Sequence, residues 1–454
     1  MAHTIQLPSK PRYRKLELHG QFTELFLKIE ARYNTAFLLE SLGEQSYDSR
    51  YSVIGFAPLH FFEGRSGELI VDGVSRAVAN PYQELRAYVP QDVIARHYAG
   101  GLVGYLGYDA VNFFEPALQL QWHPDFPAFE FGFYDDGIIH DKMTGETTYF
   151  FYNRDRFAEI SDLNTADCPP LESLSVSGGQ SSCSQAEYFA RVQATMQEII
   201  AGNTFQCQIG FLREYELSGH PFHIYKRLSE VNPSPHMYYL KAQGRVILGA
   251  SPELLFRLRS GEMESFPLAG TIHRGKDAAE DLELARRLLN DPKEIAEHNM
   301  LIDLHRNDIG RVARFGTVKV RRFFDLKKFS HVQHISSEVV GIIDRRYDMF
   351  DGVQHSFPAG TLSGAPKIES IKIIEKIEQS PRGPYGGAIG HFGLNGDSTF
   401  AIPIRTLFIS AERAFVRAAA GIVYDSRPQA EYNEVVNKMA ALTRVLAEFQ
   451  ENKA

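Results

Sequence analysis

Two pairs of acidic residues, each spaced three apart, could hold a cation in this protein. Glu294 and Glu297 follow an Asp-Pro dipeptide at 291–292, which suits the N-cap and first position of a helix. Glu431 and Glu434 have the same spacing, so each pair projects from one helical face. Such acids also complement a helix dipole or form a solvated face. If the pairs met across a groove, they would supply hard oxygen ligands for Mg²⁺.

Other residues suit an anionic ligand. The segment FPAGTLSGAPK (357–367) places Thr361 in a small-residue turn before a helix, where backbone N–H groups bind carboxylates or phosphates. Arg405 could fork onto a carboxylate, and Lys438 shares a helical stripe with the second acidic pair. A plain loop–helix junction and surface ion pairs are the alternative interpretations of these residues.

Two histidines, His331 and His334, are three apart in FSHVQHISSE. In a strand they face opposite ways, which disfavours joint metal ligation. A single histidine beside an anion site is a candidate acid or base, and a structural histidine is the alternative. Together, the residues imply only that a dianionic substrate could be held between Mg²⁺ and arginine or backbone donors.

The elements that would position these residues mix strands and helices without regular alternation, which predicts an α+β fold. A segment rich in Ser, Gly, Pro and Asp, 161–184, is predicted to be a linker between an N-terminal region, 1–160, and a catalytic domain, 185–454. Hydrophobic spacing predicts helices at about 186–201, 279–289, from 291 onward, 367–378 and 429–449.

Composition excludes several classes of protein. A net charge of −8 and a pI of about 6.1 disfavour nucleic-acid binding. Three cysteines without metal-ligand spacing fit a reducing compartment, and hence the cytoplasm. The basic N-terminus precedes no apolar signal core, and no run of about 18 apolar residues predicts a membrane span.

Many ordered motifs together resemble the chorismate-utilising enzymes, most closely those of the anthranilate synthase component I type. The motifs are NPSPHMYYL, GASPELLFR, PLAGTIHRGK, DPKEIAEHNMLIDLHRND, FSHVQHISSEV, FPAGTLSGAPK, RGPYGGAIG, AGIVYDS and AEYNEVVNK. They cover about 190–445 densely and the N-terminal region weakly. The resemblance implies two subdomains with large antiparallel sheets packed face to face and helices outside.

The resemblance also implies a reaction, in which chorismate and ammonia give anthranilate and pyruvate at the first step of tryptophan biosynthesis. Mg²⁺ would bind Glu297 and Glu434, with Glu294 and Glu431 close by. The metal and the loop around Thr361 would hold the ring carboxylate of chorismate.

The remaining roles implied by the resemblance concern the enolpyruvyl carboxylate and proton transfer. Tyr385, Arg405 and the backbone at Gly421 would hold that carboxylate, while Lys438 would support the metal–carboxylate cluster. Glu253 would protonate the departing C4 hydroxyl, and His334 would assist pyruvate elimination.

Two positions discriminate among relatives. Many aminodeoxychorismate synthases carry a nucleophilic lysine where this chain has Ala269, although some also have alanine there. Isochorismate and salicylate synthases use a lysine base where this chain has Gln206, which leaves ammonia as the nucleophile. The alternatives are aminodeoxychorismate synthase component I, an aminodeoxyisochorismate synthase and a silent regulatory paralogue that binds chorismate or tryptophan.

A tryptophan site and a partner subunit are also implied. The residues that match the family's feedback site are Leu39, Glu40, Ser41, Asn232, Pro233, Pro235 and Met237. No glutaminase segment is recognised, so a separate glutamine amidotransferase, component II, is expected to supply ammonia. His236, Ile272, His273 and His305 depart from the usual family residues.

Overall fold

Two large antiparallel sheets form the framework of the protein. The structure is a computed structural model that describes residues 4–43, 50–328 and 332–450, so His331 lies outside the described residues. In spatial order, the first sheet contains β1 (Arg12–Leu16), β10 (Glu146–Phe151), β9 (Asp136–Asp141), β3 (Tyr51–Phe56), β2 (Ala36–Glu40), β13 (His236–Ala242), β14 (Arg245–Ser251), β23 (Thr406–Ser410), β24 (Arg413–Ile422), β12 (Gln206–Ser218) and β11 (Ser175–Ser181). The short strand β20 (Gly364–Ala365) pairs with β12.

The second sheet faces the first. In spatial order it contains β17 (Leu268–His273), β19 (Val332–Ile342), β16 (Glu262–Ser265), β15 (Leu254–Arg259), β22 (Ser398–Ala401), β21 (Ala388–Gly393), β7 (Gly101–Leu106), β8 (Phe129–Tyr134), β4 (His60–Arg65), β5 (Glu68–Val71) and β6 (Val74–Ala77). Strand β18 (Lys319–Lys328) pairs with β19.

Ten α-helices occur within the described residues. They are α1 (Phe22–Arg32), α2 (Pro81–Arg86), α3 (Phe157–Thr165), α4 (Gln185–Ile200), α5 (Phe222–Val231), α6 (Ala278–Leu289), α7 (Pro292–Gly310), α8 (Met349–Ser356), α9 (Lys367–Glu378) and α10 (Pro428–Ala447). Two 3₁₀ helices span Tyr108–Phe113 and Gly360–Leu362. The helices predicted from hydrophobic spacing are confirmed, with ends shifted by no more than two residues where both ends were predicted.

Alternation along the strands divides the core into layers. On β12, Cys207, Ile209 and Phe211 belong to the apolar cluster shared with α4, α9 and α10, while Gln206 and Gln208 lie on the opposite strand face. Between the sheets, Phe408 of the first sheet shares a cluster with Phe400 of the second. The α+β prediction with two face-to-face antiparallel sheets is therefore confirmed.

The predicted linker, 161–184, contains regular structure. Helix α3 continues to Thr165, and β11 pairs with β12. Strands from both regions of the chain also share each sheet; for example, β2 pairs with β13, and β7 pairs with β21. The division into 1–160 and 185–454 thus remains a prediction about the sequence, and it does not separate the two sheets.

Candidate active site

The first acidic pair lies at the start of α7. The Asp291 side chain accepts hydrogen bonds from the backbone N–H groups of Lys293 (2.9 Å) and Glu294 (3.4 Å). The predicted N-cap is confirmed. The Asp291 N–H donates to the Leu288 carbonyl (3.3 Å), and no reciprocal bond from Glu294 closes a capping box. Glu294 instead points toward β17, where its Oε2 would lie 3.0 Å from a β-carbon built on Gly270.

The second acidic pair lies at the start of α10. Glu434 Oε1 is 2.8 Å from Lys438 Nζ, which also donates to the carbonyl oxygen of Ala419 on β24 (2.9 Å). Lys438 therefore links the acidic face of α10 to the strand that carries Gly421.

Electrostatic coupling shows that the two acidic pairs face each other. Burial raises the pKa of Glu294, and the charge of Glu434 adds to the increase. Burial also raises the pKa of Glu297, followed by repulsion from Glu294, with Glu434 contributing again. For Glu431, burial is the main cause of a raised pKa, and Glu434 contributes as well. A cation between the helices would relieve both the desolvation and the repulsion.

The donor set fits Mg²⁺ within clear limits. Among the described residues, no group of three or more His, Cys, Asp or Glu side chains is arranged to hold a metal. Mg²⁺ commonly takes one or two carboxylates and keeps waters or substrate oxygens at its other positions. One carboxylate from each helix would meet that requirement, and Glu297 and Glu434 are the predicted pair.

A buried acid lies beside the small-residue loop. The Thr361 hydroxyl donates a 2.7 Å hydrogen bond to Glu253 Oε1. Burial raises the pKa of Glu253, although this hydrogen bond and the positive charges of Lys438 and Arg405 act in the opposite direction. The result is a carboxyl group that holds its proton to a higher pH than an exposed glutamate does.

A neutral histidine faces the same space. His334 on β19 places Nδ1 3.0 Å from the carbonyl oxygen of Gly270. A carbonyl only accepts, so Nδ1 carries the proton and Nε2 is the basic nitrogen. Burial lowers the pKa of His334, and the charges of Arg405 and Lys438 lower it further.

The predicted carboxylate-binding residues lie near Glu253 and His334. Burial lowers the pKa of Arg405, and the charge of Glu253 opposes that effect, which places the guanidinium near the buried acid. Tyr385 is buried, and Arg417 of β24 lies close enough for its charge to act on the Tyr385 hydroxyl. Gly421 lies opposite Gln208 on β12, and a β-carbon at Gly421 would be only 2.6 Å from Gln206 Nε2. A side chain at this position would displace the Gln206 amide, so the glycine leaves space that both amides approach.

The sequence and the fold both have named relatives. The chorismate binding enzyme family model matches residues 35–444. Anthranilate synthase component 1 of Leptospira biflexa is 57% identical, covering 97% of each chain. The chain belongs to the anthranilate synthase component 1 branch of the chorismate binding enzymes. The enzyme of that name from Methanothermobacter marburgensis is 42% identical over 96% of this chain and 94% of its own.

Solved structures agree with this membership. Anthranilate synthase component I from Streptococcus pneumoniae TIGR4 aligns with a TM-score of 0.79 at 31% identity, covering 89% of this chain and 94% of its own. The menaquinone-specific isochorismate synthase of Escherichia coli shares the fold with a TM-score of 0.73 at 17% identity, covering 97% of this chain and 96% of its own.

The structure brings together the residues predicted to form a tryptophan site. On β2, Leu39 pairs with Tyr238 and Glu40 pairs with Met237 of β13. The N–H of Leu42, next to Ser41, donates to the Ser234 carbonyl (2.8 Å), which lies between Pro233 and Pro235. Asn232 ends α5 and has a buried Nδ2 with no hydrogen-bond partner among the described residues. Tryptophan binding itself stays a prediction.

Two departures from the family pattern lie close to the site. His305, on α7, is hydrogen bonded to Ser265, and burial lowers its pKa to about 3. It is thus a neutral, partnered residue. His236 begins β13, opposite Ser251 of β14, beside the predicted tryptophan residues.

Sequence reasoning missed a buried charge network beside the site. The residues are Glu378, Arg382 and Arg417, all nearly inaccessible to solvent. Arg382 pairs with both carboxylate oxygens of Glu378 (2.9 Å each), and Arg417 pairs with one of them (2.6 Å). Burial alone would raise the pKa of Glu378, but the two guanidinium groups lower it below its ordinary value. The RGPY motif contains Arg382, yet nothing in its local sequence indicates these partners.

Gln208 was also missed, although strand alternation could have found it. It is two residues beyond Gln206 and therefore shares the strand face that points to Gly421.

Within the described ranges every helix is too short or too polar to cross a lipid bilayer. The three cysteines are free thiols, with Cys168 exposed and the other two buried.

Proposed function

We propose that this protein aminates chorismate with ammonia and eliminates pyruvate to give anthranilate, at the first step of tryptophan biosynthesis. The observation that carries the proposal is the hydrogen bond from Thr361 to the buried acid Glu253, near Arg405 and Lys438. This arrangement combines a proton donor with the cationic groups needed for a dianionic substrate. Membership of the anthranilate synthase component 1 branch supports the same assignment.

Mg²⁺ is the proposed cofactor. Glu297 and Glu434 would hold it, with Glu294 and Glu431 beside them, because all four acids lie on facing helix starts. When bound, Mg²⁺ would withdraw electron density through the ring carboxylate and make the ring easier to attack. The protein contributes Thr361, on the 3₁₀ helix Gly360–Leu362, to position that carboxylate.

The second carboxylate of chorismate would bind at β24. Arg405 supplies a buried guanidinium whose desolvation strengthens its attraction to an anion. Tyr385 and the backbone at Gly421 supply the remaining contacts. Lys438, held by Glu434 and the Ala419 carbonyl, keeps a positive charge between the two carboxylate positions.

Glu253 would act first, as a general acid. Its proton goes to the C4 hydroxyl, which leaves as water, while the nitrogen lone pair of ammonia forms the C2–N bond and the ring double bonds shift. The nitrogen then loses one proton, which restores the acid. Burial keeps Glu253 protonated at a pH where an exposed glutamate would already be ionised.

His334 would act second, during elimination. Its Nε2 accepts the proton from C2, the C3–O bond breaks, and the enolate of pyruvate that leaves takes up on carbon the proton that Nε2 had accepted. The carbonyl of Gly270 holds the proton on Nδ1, so Nε2 is the basic nitrogen, and burial lowers the pKa of His334. Chorismate and ammonia are thereby converted to anthranilate, pyruvate and water.

A component II subunit is the proposed ammonia source, as the component 1 naming of the relatives implies a partner. We further propose that glutamine hydrolysis in that subunit supplies the ammonia, that tryptophan inhibits at the β2–β13 site, and that the enzyme works in the cytoplasm. The close packing of Glu40, Met237 and the turn after α5 supports the inhibitor site.

Product identification tests the proposal. Purified protein is incubated with chorismate, Mg²⁺ and an ammonium salt at mildly alkaline pH, and the products are separated by chromatography. Equal amounts of anthranilate and pyruvate, lost when a chelator is added, are expected. Aminodeoxychorismate would assign the protein to the folate branch. Aminodeoxyisochorismate that accumulates without pyruvate would mean an aminodeoxyisochorismate synthase.

A further inference from the structure

A second amide side chain lies in the candidate site without an assigned role. Gln208 is only 7% exposed, and its Oε1 has no hydrogen-bond partner among the described residues. A buried polar atom without a partner is unfavourable relative to one that is hydrogen bonded. An apolar residue would pack on this strand without that cost, so the amide needs a reason to be there.

The position of Gln208 indicates what that reason is. It pairs directly with Gly421, and its Nε2 would lie 3.2 Å from a β-carbon at that glycine. Gln206 Nε2 would be 2.6 Å from the same point. Both amides therefore converge on the space that the missing side chain of Gly421 leaves open.

The backbone of Gln208 is held rigidly from two sides. Its N–H donates to the Ser363 carbonyl (2.9 Å), in the loop that follows Thr361. Its carbonyl accepts from Arg382 Nη2 (2.9 Å). The side chain thus projects from a fixed point between the loop and β24, which is the kind of support that a ligand-contacting group requires.

We propose that Gln208 Oε1 accepts a hydrogen bond from ammonia and orients it for attack on the substrate. The inference rests on the proposed function, and it adds a binding residue for the nucleophile. An unpartnered amide oxygen suits ammonia because ammonia donates, whereas the carboxylates of chorismate only accept. The nearer Nε2 of Gln206 is the donor that remains for the carboxylate at Gly421.

Steady-state kinetics with ammonium as the nitrogen source test this role. Gln208→Met keeps the length of the side chain and removes the acceptor, so KM for ammonia should rise roughly fivefold, the loss of one uncharged hydrogen bond. KM for chorismate should change little. Gln208→Glu keeps acceptor oxygens but adds a negative charge, so it should preserve KM for ammonia and raise KM for chorismate.

The two variants separate the possible outcomes. An unchanged KM for ammonia in folded Gln208→Met, with wild type active, overturns the inference and leaves the proposed function standing. A rise in KM for chorismate alone in that variant also overturns it, since the amide would then serve the carboxylate. If Gln208→Met does not fold, equal increases of both KM values in Gln208→Glu overturn it. If wild type makes no anthranilate, the proposed function and the inference fail together.

Discussion

Arg382 Nη1 donates a 2.6 Å hydrogen bond to the carbonyl oxygen of Leu362, the residue after Thr361. The same guanidinium reaches the Gln208 carbonyl on β12 and lies over the rings of Tyr108 (4.6 Å) and Tyr385 (5.9 Å). One buried side chain thus fixes the substrate loop, the strand opposite Gly421 and the predicted substrate tyrosine.

Arg382→Lys should therefore weaken chorismate binding. A lysine ammonium keeps the charge but lacks the planar fork that reaches Glu378 and two carbonyls at once. We expect KM for chorismate to rise at least roughly tenfold, equivalent to about 1.4 kcal/mol. Steady-state kinetics and a thermal melt on the same sample provide the measurement.

Arg417→Lys is the matched control. Arg417 is equally buried and pairs with Glu378, but its other hydrogen bonds go to Ser380 and to the Pro381 carbonyl, outside the substrate loop. It should lower Tm and leave KM for chorismate near wild type. Equal KM values in the two variants would mean that Arg382 serves only stability.

Glu297→Gln tests the acidic cluster. Burial and Glu294 raise the pKa of Glu297, so ionising it in the metal-free protein costs stability above that pKa. The variant should bind Mg²⁺ more weakly by calorimetry, lose turnover, and melt at a higher temperature than wild type in chelator at neutral pH. Glu283→Gln, at an exposed position of α6, is the control. Full turnover in Glu297→Gln would contradict the metal assignment.

Asp109 is predicted to give a pH-dependent change in stability. Its Oδ2 accepts the N–H of His123 (3.0 Å), its Oδ1 has no partner among the described residues, and burial raises its pKa from 3.8 to about 6. Between pH 3.8 and about 6 the folded state therefore binds more protons than the unfolded state, and the free energy of unfolding falls as pH rises through this range. Below this pH range Asp109 is protonated in both states, and the cost of ionising a buried carboxyl group is absent.

Asp109→Asn removes this penalty. Above about pH 6 the variant should be more stable than wild type by on the order of 3 kcal/mol, and the difference should vanish at low pH. Thermal melts across this range give the measurement, with the exposed Asp92→Asn as control. A constant difference at all pH values would show that the carboxyl group is not the cause.

Asn232 tests the predicted inhibitor site. Its buried Nδ2 lacks a hydrogen-bond partner among the described residues, so a tryptophan carboxylate could accept from it. We expect Asn232→Ala to raise the Kd for tryptophan severalfold by calorimetry, because one hydrogen bond is lost. The exposed Asn153→Ala should bind as wild type does. No tryptophan binding to wild type would remove the site from the account.

Local sequence patterns predicted the helices and the acidic pairs because their causes are local. The N-cap at Asp291 and the spacing of Glu294 and Glu297 depend on neighbouring residues alone. The family resemblance supplied Glu253 and the specific role of His334, which no spacing rule identifies. The sheets joined both regions of the chain through pairs such as Leu39 and Tyr238, and no local pattern reveals such a pairing.

The network around Arg382 was not predictable for the same reason. Its partners Leu362 and Gln208 are 20 and 174 residues away in sequence. The unpartnered oxygen of Gln208 likewise depends on what surrounds it in three dimensions. These contacts emerge only when β12, the substrate loop and the end of α9 are packed together.

The turnover number of Glu253→Gln tests the central claim most directly. Glutamine keeps an oxygen that accepts from Thr361 but has no proton to give, so chorismate should still bind while anthranilate formation falls by at least roughly a hundredfold. Wild-type turnover should decline as pH rises through the raised pKa of Glu253. Near wild-type turnover in the folded variant would contradict the assignment of Glu253 as the proton donor.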